Sequence, residues 1–351
     1  MFETLGFETL GPREVSVMFG LAIGVAFGAL AEATRFCLRR GLVGPQDERR
    51  AALGLWLMAL AVAVAGTQAA VWLGWIDFTD HRFMASDLPV LAILLGGLLF
   101  GAGMVLTRGC ASRLTVLAGT GNLRALTVLL VFAIVAHATT KGVLSPLREL
   151  LGGYRVSMGE GISLSALPGG AIVWSAIIVA LAAGYALRSG NRPAPLLGGA
   201  MIGALVPLAW VGTGLVLFDE FDAIAFESLS FTSPATEALF WSIASSSIPA
   251  GFGTGLIGGA LAGAAALAVI AGRFRWQSFV SPRETGRYLA GAVLMGFGGV
   301  LAGGCTVGAG LAGVPTLSLA AVLALIAIAA GAVAANAVLR HRSAPRFQPA
   351  E

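Results

Sequence analysis

Long apolar runs separated by short polar intervals dominate this chain. A helix that crosses a bilayer needs roughly 20 mostly apolar residues. Nine segments meet that length, at 15–36, 52–76, 89–107, 122–140, 171–187, 196–218, 248–272, 287–303 and 315–339. Four further stretches, 37–44, 108–118, 233–247 and 305–314, are too short to cross and are broken by Gly, Pro or polar residues. They predict half-helices that enter the membrane and turn back, which requires that their backbone be buried in protein or line a cavity. The expected fold is an all-α integral membrane protein with nine spans and four half-helices.

Composition agrees with that pattern. Hydrophobic residues make up 57% of the 351 and charged residues 11%, whereas soluble domains carry about 25% charge. A water-facing surface cannot be built from so few charges. The 49 glycines fall inside the apolar runs, where small residues let helix backbones approach closely. Met1 to Ser16 contains Glu3, Glu8, Glu14 and a single Arg13, so no basic leader precedes the first run and it is expected to remain as a helix.

Basic residues collect on cytoplasmic loops, and here they alternate with the spans. Arg35, Arg39, Arg40, Arg49, Arg50, Arg108, Arg113, Arg124, Arg188, Arg192, Arg273, Arg275, Arg283, Arg287, Arg340, Arg342 and Arg346 fall on one side, 17 of the 22 Lys and Arg. Arg13, Arg82, Lys141, Arg148 and Arg155 fall on the other, with Asp77, Asp80, Asp87, Asp219, Glu220, Asp222 and Glu227. The N-terminus is therefore expected outside and the C-terminus in the cytoplasm. The net charge of +4 is accounted for by this asymmetry, and no nucleic-acid partner is expected.

A repeat surrounds the cysteines. FGALAEATRFC, ending at Cys37, matches FGAGMVLTRGC, ending at Cys110, at six of eleven positions, and MGFGGVLAGGC, ending at Cys305, matches the second copy at six. The interval from Cys37 to Cys110, subtracted from 305, lands on Thr232 in LSFTSPATEALFW, where a fourth, cysteine-less half-helix is expected to begin. One transport domain over 1–351 follows, with a first repeat at 15–140, a linking helix at 171–187 and a second repeat at 196–339. Five spans separate corresponding elements, so the second repeat is expected inverted, a recurrent transporter plan.

Cys37, Cys110 and Cys305 form no CxxC, and no His cluster accompanies them, so neither a zinc site nor a thioredoxin-type pair is expected. Three histidines, His81, His137 and His341, give no basis for a haem, and no cofactor or metal is expected. A free Cys is commonly a small buried hydrophobe, but all three here occupy the same place in a repeated motif. Gly109 precedes Cys110, and Gly303 and Gly304 precede Cys305, where an apolar helix breaks and the next can restart with free N–H groups facing a cavity. Such a helix start suits an anion. A neutral thiol there donates a weak S–H bond without adding negative charge. Cys37, Cys110, Cys305, Gly109 and Gly304 are the candidate substrate-binding residues; the alternative is a thiol enzyme or sulfur relay in which the cysteines carry persulfide.

RFCLRRGL, LTRGCASRLTVLAGTGNLRAL and GFGGVLAGGCTVGAGLAGVPTLSL resemble the three cysteine motifs of the YeeE/YedE family of bacterial sulfur-transport membrane proteins, nearest to members that take up thiosulfate. The resemblance implies an hourglass-like bundle in the bacterial inner membrane, not an enzyme, in which Cys37, Cys110 and Cys305 pass thiosulfate along. Some relatives have a small sulfurtransferase-like partner, fused or separate. Since the sequence ends at RSAPRFQPAE, such a partner is expected as a separate cytoplasmic protein.

Smaller expectations concern the remaining polar and aromatic residues. Glu32 and Arg35 stand at i,i+3 and can pair on one helix. His137 is placed for an interfacial hydrogen bond, and Trp72, Trp75, Trp210 and Trp276 for interfacial anchoring. Gly20, Gly24 and Gly28, like Gly255, Gly259 and Gly263, follow the small-xxx-small spacing of close helix contacts.

Overall fold

The computed structural model describes residues 11–157, 159–219 and 222–343. The segments before Gly11 and after Ser343, on which the expectations about the termini rest, lie outside the described residues, as does Glu220. The chain is an all-α integral membrane protein, and among the described residues nine helices are long and apolar enough to cross a bilayer.

In chain order the helices are α1 (Pro12–Thr34), α2 (Leu38–Val43), α3 (Gln46–Trp72), α4 (Val90–Leu106), α5 (Ala111–Gly119), α6 (Leu123–Lys141), α7 (Ser145–Gly152), α8 (Gly170–Leu187), α9 (Pro193–Val211), α10 (Ser233–Ala244), α11 (Phe252–Ile270), α12 (Pro282–Leu301) and α13 (Leu319–Ser343). Two wide π-helical stretches complete them, Gly212–Val216 at the end of α9 and Thr306–Gly313 between α12 and α13. Every expected span and half-helix is present, displaced by a few residues. Local rules set many of the starts: Pro begins α1, α9 and α12, where its missing N–H costs nothing. The Asn122 and Ser281 side chains accept the Ala125 and Glu284 amides at the starts of α6 and α12.

Loops divide between two faces. On one, the backbone at Thr120 and Gly121 accepts from Arg275 and Gln277. On the other, a two-residue ladder joins Asp87–Leu88 to Val156–Ser157, Leu164 N–H donates to Leu317, and Ser318 Oγ donates to Phe83 O at 2.6 Å. The first is the arginine face and the second the acidic face.

Glycine sets the packing. A Cβ on Gly20, Gly24 or Gly28 of α1 would run into the backbone carbonyls of Phe252, Leu256 and Ala260 on α11. Reciprocally, one on Gly255, Gly259 or Gly263 would run into those of Val17, Leu21 and Val25. The same device joins α3 to α9, where Gly203 meets Ala59 O, and α4 to α13, where Gly101 meets Ile328 O and Gly331 meets Leu98 O. Helices packed at backbone contact gain dispersion over their whole length, the principal attraction available in lipid.

Adding one methyl group at Gly24 is therefore expected to lower the apparent melting temperature in detergent, since overpacking costs about 1–3 kcal/mol. Gly184 of α8 meets nothing within 4 Å, so Gly184→Ala serves as the matched control and is expected to leave melting unchanged or raise it. Equal melting of the two variants would show that the α1–α11 contact yields freely.

Candidate functional site

Each cysteine is the residue immediately before a short helix: Cys37 before α2, Cys110 before α5 and Cys305 before the Thr306–Gly313 turn. The long helix ahead of each one ends in a left-handed residue two positions earlier. These are Arg35 (φ 53), Arg108 (φ 61) and Gly303 (φ 75). That conformation reverses the chain and costs roughly 1–2 kcal/mol wherever the residue is not glycine. Gly304 is required by space, because a Cβ there would sit 2.8 Å from the Ala309 amide nitrogen. Gly109 is buried, and its carbonyl accepts from Thr107 Oγ1 at 2.9 Å.

The fold brings the three thiols together at the centre. Cys37 and Cys110, 73 residues apart in the sequence, stand close enough for each thiol to act electrostatically on the other. Cys110 Sγ stands 3.3 Å from Ser112 Oγ, and its other neighbour is the Thr306 hydroxyl, next in sequence to Cys305. The Gly308 amide donates to Cys305 Sγ at 3.4 Å. All three are free thiols and buried, with Cys305 fully enclosed. α2 and α5 run from this centre to the arginine face, whereas α10 and the Thr306–Gly313 turn run to the acidic face, so four helix starts point inward. Ser112 and Thr306 are contributors that motif reading passed over; the signal was a hydroxyl within two residues of a helix-starting cysteine.

A cavity of 590 Å³ opens from the acidic face and reaches Ser230 and Gly308, beside Cys305. Its wall carries Asp77, Asp80, His81, Arg82, Glu227 and Glu237. Burial, together with the neighbouring Glu237, pushes Glu227 up to about 7, while Arg82 works against the rise. Burial and Arg82 push His81 down to about 4, so it is neutral near neutral pH. The Glu227 backbone is held by Thr213 of the π-helical stretch, whose hydroxyl donates to Glu227 O at 2.7 Å. On the opposite side, Arg39 lies within electrostatic reach of Cys37, Arg108 and Arg287. None of these three arginines has an acidic partner within salt-bridge distance among the described residues.

Three side-chain expectations are corrected. Glu32 pairs with Arg113 and Arg273, each at 3.5 Å, and not with Arg35, because the left-handed turn at Arg35 takes its side chain off the helical i+3 position. Trp210 is buried under Phe78 and Phe226 in the cavity wall, because the segments at 73–89 and 222–232 fold over the end of α9. Trp72, Trp75 and Trp276 are exposed. His137 stacks on Phe240 at 3.8 Å between centroids, a contact that the re-entry of α10 against α6 creates. Among the described residues no three His, Cys, Asp or Glu converge to hold a metal ion.

Nine spans enclosing half-helices whose starts converge on buried thiols define a multi-pass membrane transporter of the broken-helix kind. The chain belongs to the sulphur transport family, whose model matches residues 33–334. It is similar to the thiosulfate transporter TsuA of Escherichia coli (strain K12), 26% identical over 325 residues that cover 84% of this chain and 86% of the relative. It is also similar to the thiosulfate transporter TsuA of Spirochaeta thermophila, 27% identical over 325 residues, 88% of this chain and 94% of the relative.

The carboxyl pair can be tested directly. Glu237→Gln is expected to lower the Glu227 titration midpoint from about 7, because a neighbouring negative charge is removed and the charged form becomes easier to reach. Arg82→Gln is expected to raise it. Infrared difference titration of the protonated carboxyl band reads both shifts, and an unmoved midpoint in both variants would show that burial alone sets it.

Proposed function

We propose that this protein is a permease that carries thiosulfate inward across the bacterial inner membrane, with Cys37, Cys110 and Cys305 donating transient hydrogen bonds to the passing anion. The observation that carries the reading is the cluster at Cys110, a buried helix-start thiol with Ser112 Oγ at 3.3 Å and with Cys37 and Thr306, the neighbour of Cys305, close by. These weak donors stand between the acidic-face cavity and the unpaired arginines. Inward-pointing helix starts add positive partial charge where the dianion must lose water. Neutral thiols stabilise it without holding it fast, and several weak sites in series allow both arrival and departure. Gly109 and Gly304 support the route by allowing the chain to turn beside the thiols.

In this reading 15–140 and 196–339 are inverted repeats joined by 171–187. Support comes from the pairings: exchanging the first six helical elements with the last six converts α1–α11 into α9–α3, α4–α13 into α12–α6, and α2–α3 into α10–α11, all of which are present. The arginine face is assigned to the cytoplasm, which puts the N-terminus outside. In the cytoplasm a separate small sulfurtransferase-like protein would consume the arriving anion. Moving a dianion inward against 100 mV costs about 4.6 kcal/mol, and such consumption, or accompanying protons, offsets it.

The Cys37–Cys110 contact also favours a second reading, because it supplies the resolving thiol that the sequence motifs lack. In that chemistry a cysteine thiolate attacks the outer sulfur of thiosulfate, the S–S bond breaks, sulfite leaves and a persulfide remains.

Uptake of doubly labelled thiosulfate into liposomes containing only this protein separates the two. Passage predicts intact thiosulfate in the lumen, strong loss in Cys110→Ala and Cys305→Ala with folded protein retained, and partial uptake in Cys110→Ser, whose hydroxyl still donates. A cysteine persulfide forming and decaying at the turnover rate, with sulfite alone inside, would overturn passage. Uptake is further expected to rise as the external pH falls through about 7, where Glu227 becomes neutral, and Glu227→Gln should flatten that step. Reporter fusions beyond α13 and near Asp222 are expected on the cytoplasmic and outer sides respectively, and reporters on one side would refute the assigned topology.

A further inference from the structure

Of the four helix starts that meet at the centre, three carry a cysteine and the fourth carries Thr232, at the start of α10. Thr232 has the surroundings of Cys37. Each follows a phenylalanine, Phe36 or Phe231, and both rings pack on Phe27, with centroids at 6.4 and 4.9 Å. The Phe231 backbone, one residue before Thr232, faces the Cys305 thiol.

The hydroxyl itself is the independent observation. Thr232 is 5% exposed, and its Oγ1 has no hydrogen-bond partner among the described residues. Threonine at a helix start usually accepts from an amide of the first turn, yet no such bond forms at α10. Its methyl lies towards Gly299 of α12. A buried hydroxyl without a partner destabilises the resting fold, and valine would fill the same volume without that cost. Two residues earlier, Ser230 Oγ is likewise unpartnered, lines the acidic-face cavity and stands against Gly308, the amide that donates to Cys305.

We propose that Thr232 is a fourth substrate station, donating its O–H to an oxygen of the sulfur oxyanion as the anion passes from the cavity at Ser230 to Cys305. The assignment rests on the permease reading and deepens it. A hydroxyl is a stronger hydrogen-bond donor than a thiol and matches the oxygen end of a thiosulfate-like ion, whereas thiols suit its sulfur end. The station stays neutral at every working pH and is the first one met after the cavity.

The test compares Thr232→Val, Thr232→Ser and Cys110→Ala in the same liposome preparations, measuring initial uptake against thiosulfate concentration and melting in detergent. Thr232→Val is expected to lose roughly tenfold or more in kcat/KM, the worth of one hydrogen bond to a charged group, while melting at or above the wild-type temperature. Thr232→Ser is expected to stay within about twofold of wild type, because the donor is retained. Wild-type uptake by Thr232→Val, with Cys110→Ala inactive, would overturn this assignment and leave the permease reading standing. Absence of thiosulfate uptake by the unmutated protein, or wild-type uptake by Cys110→Ala, would instead count against the permease reading. Should Thr232→Val melt below wild type, Thr232→Ser decides the matter: near-normal uptake supports the hydroxyl's role, and a tenfold loss overturns it.

Discussion

Every peptide N–H and C=O inside a bilayer must find a partner, because hydrocarbon offers none. A half-helix violates that rule at its inner end unless protein surrounds it. The four half-helices here are possible only because the spanning helices close around them at backbone contact, and glycine is what permits that closeness. A methyl group at Gly24 or Gly259 would collide with a carbonyl of the facing helix. The glycine-lined α1–α11 seam is thus coupled to the site, since α1 leads into the turn before Cys37 and α11 packs on α10. Once enclosed, the half-helix starts become the site's most useful property, because the positive ends of their dipoles face inward and favour negative charge.

The two sides of the site differ in charge. The cavity on one face is walled by carboxyl groups, with Glu227 and Glu237 close enough to raise the affinity of Glu227 for a proton. The opposite side gathers Arg39, Arg108 and Arg287. In the proposed permease, a dianion arriving from the acidic face meets a barrier that softens as Glu227 is neutralised, and then a field that draws it onward. Glu32 is the acid set among the arginines: its two partners, Arg113 and Arg273, tie α1 to α5 and to the loop after α11.

The backbone before each cysteine illustrates how strain is placed at a site. Left-handed residues stand at 35, 108 and 303, and only the last is glycine. The strain at Arg35 and Arg108 aims the following chain so that Cys37 and Cys110 come side by side.

The nine spans, the four half-helix positions and the start at Thr232 were legible in the sequence because run length and glycine breaks act locally and lipid enforces them strictly. The repeat around the cysteines marked Cys37, Cys110, Cys305, Gly109 and Gly304 before any geometry was known. Tertiary structure alone decided which thiols are neighbours, since contact between Cys37 and Cys110 depends on how α1, α4 and their half-helices cross. It alone moved Trp210 from an expected interface to the cavity wall, and turned Glu32 from Arg35 to Arg113 and Arg273. It alone left the Thr232 hydroxyl without a partner among the described residues. Spacing along one helix cannot reveal such facts, because each is set by elements far away in the chain.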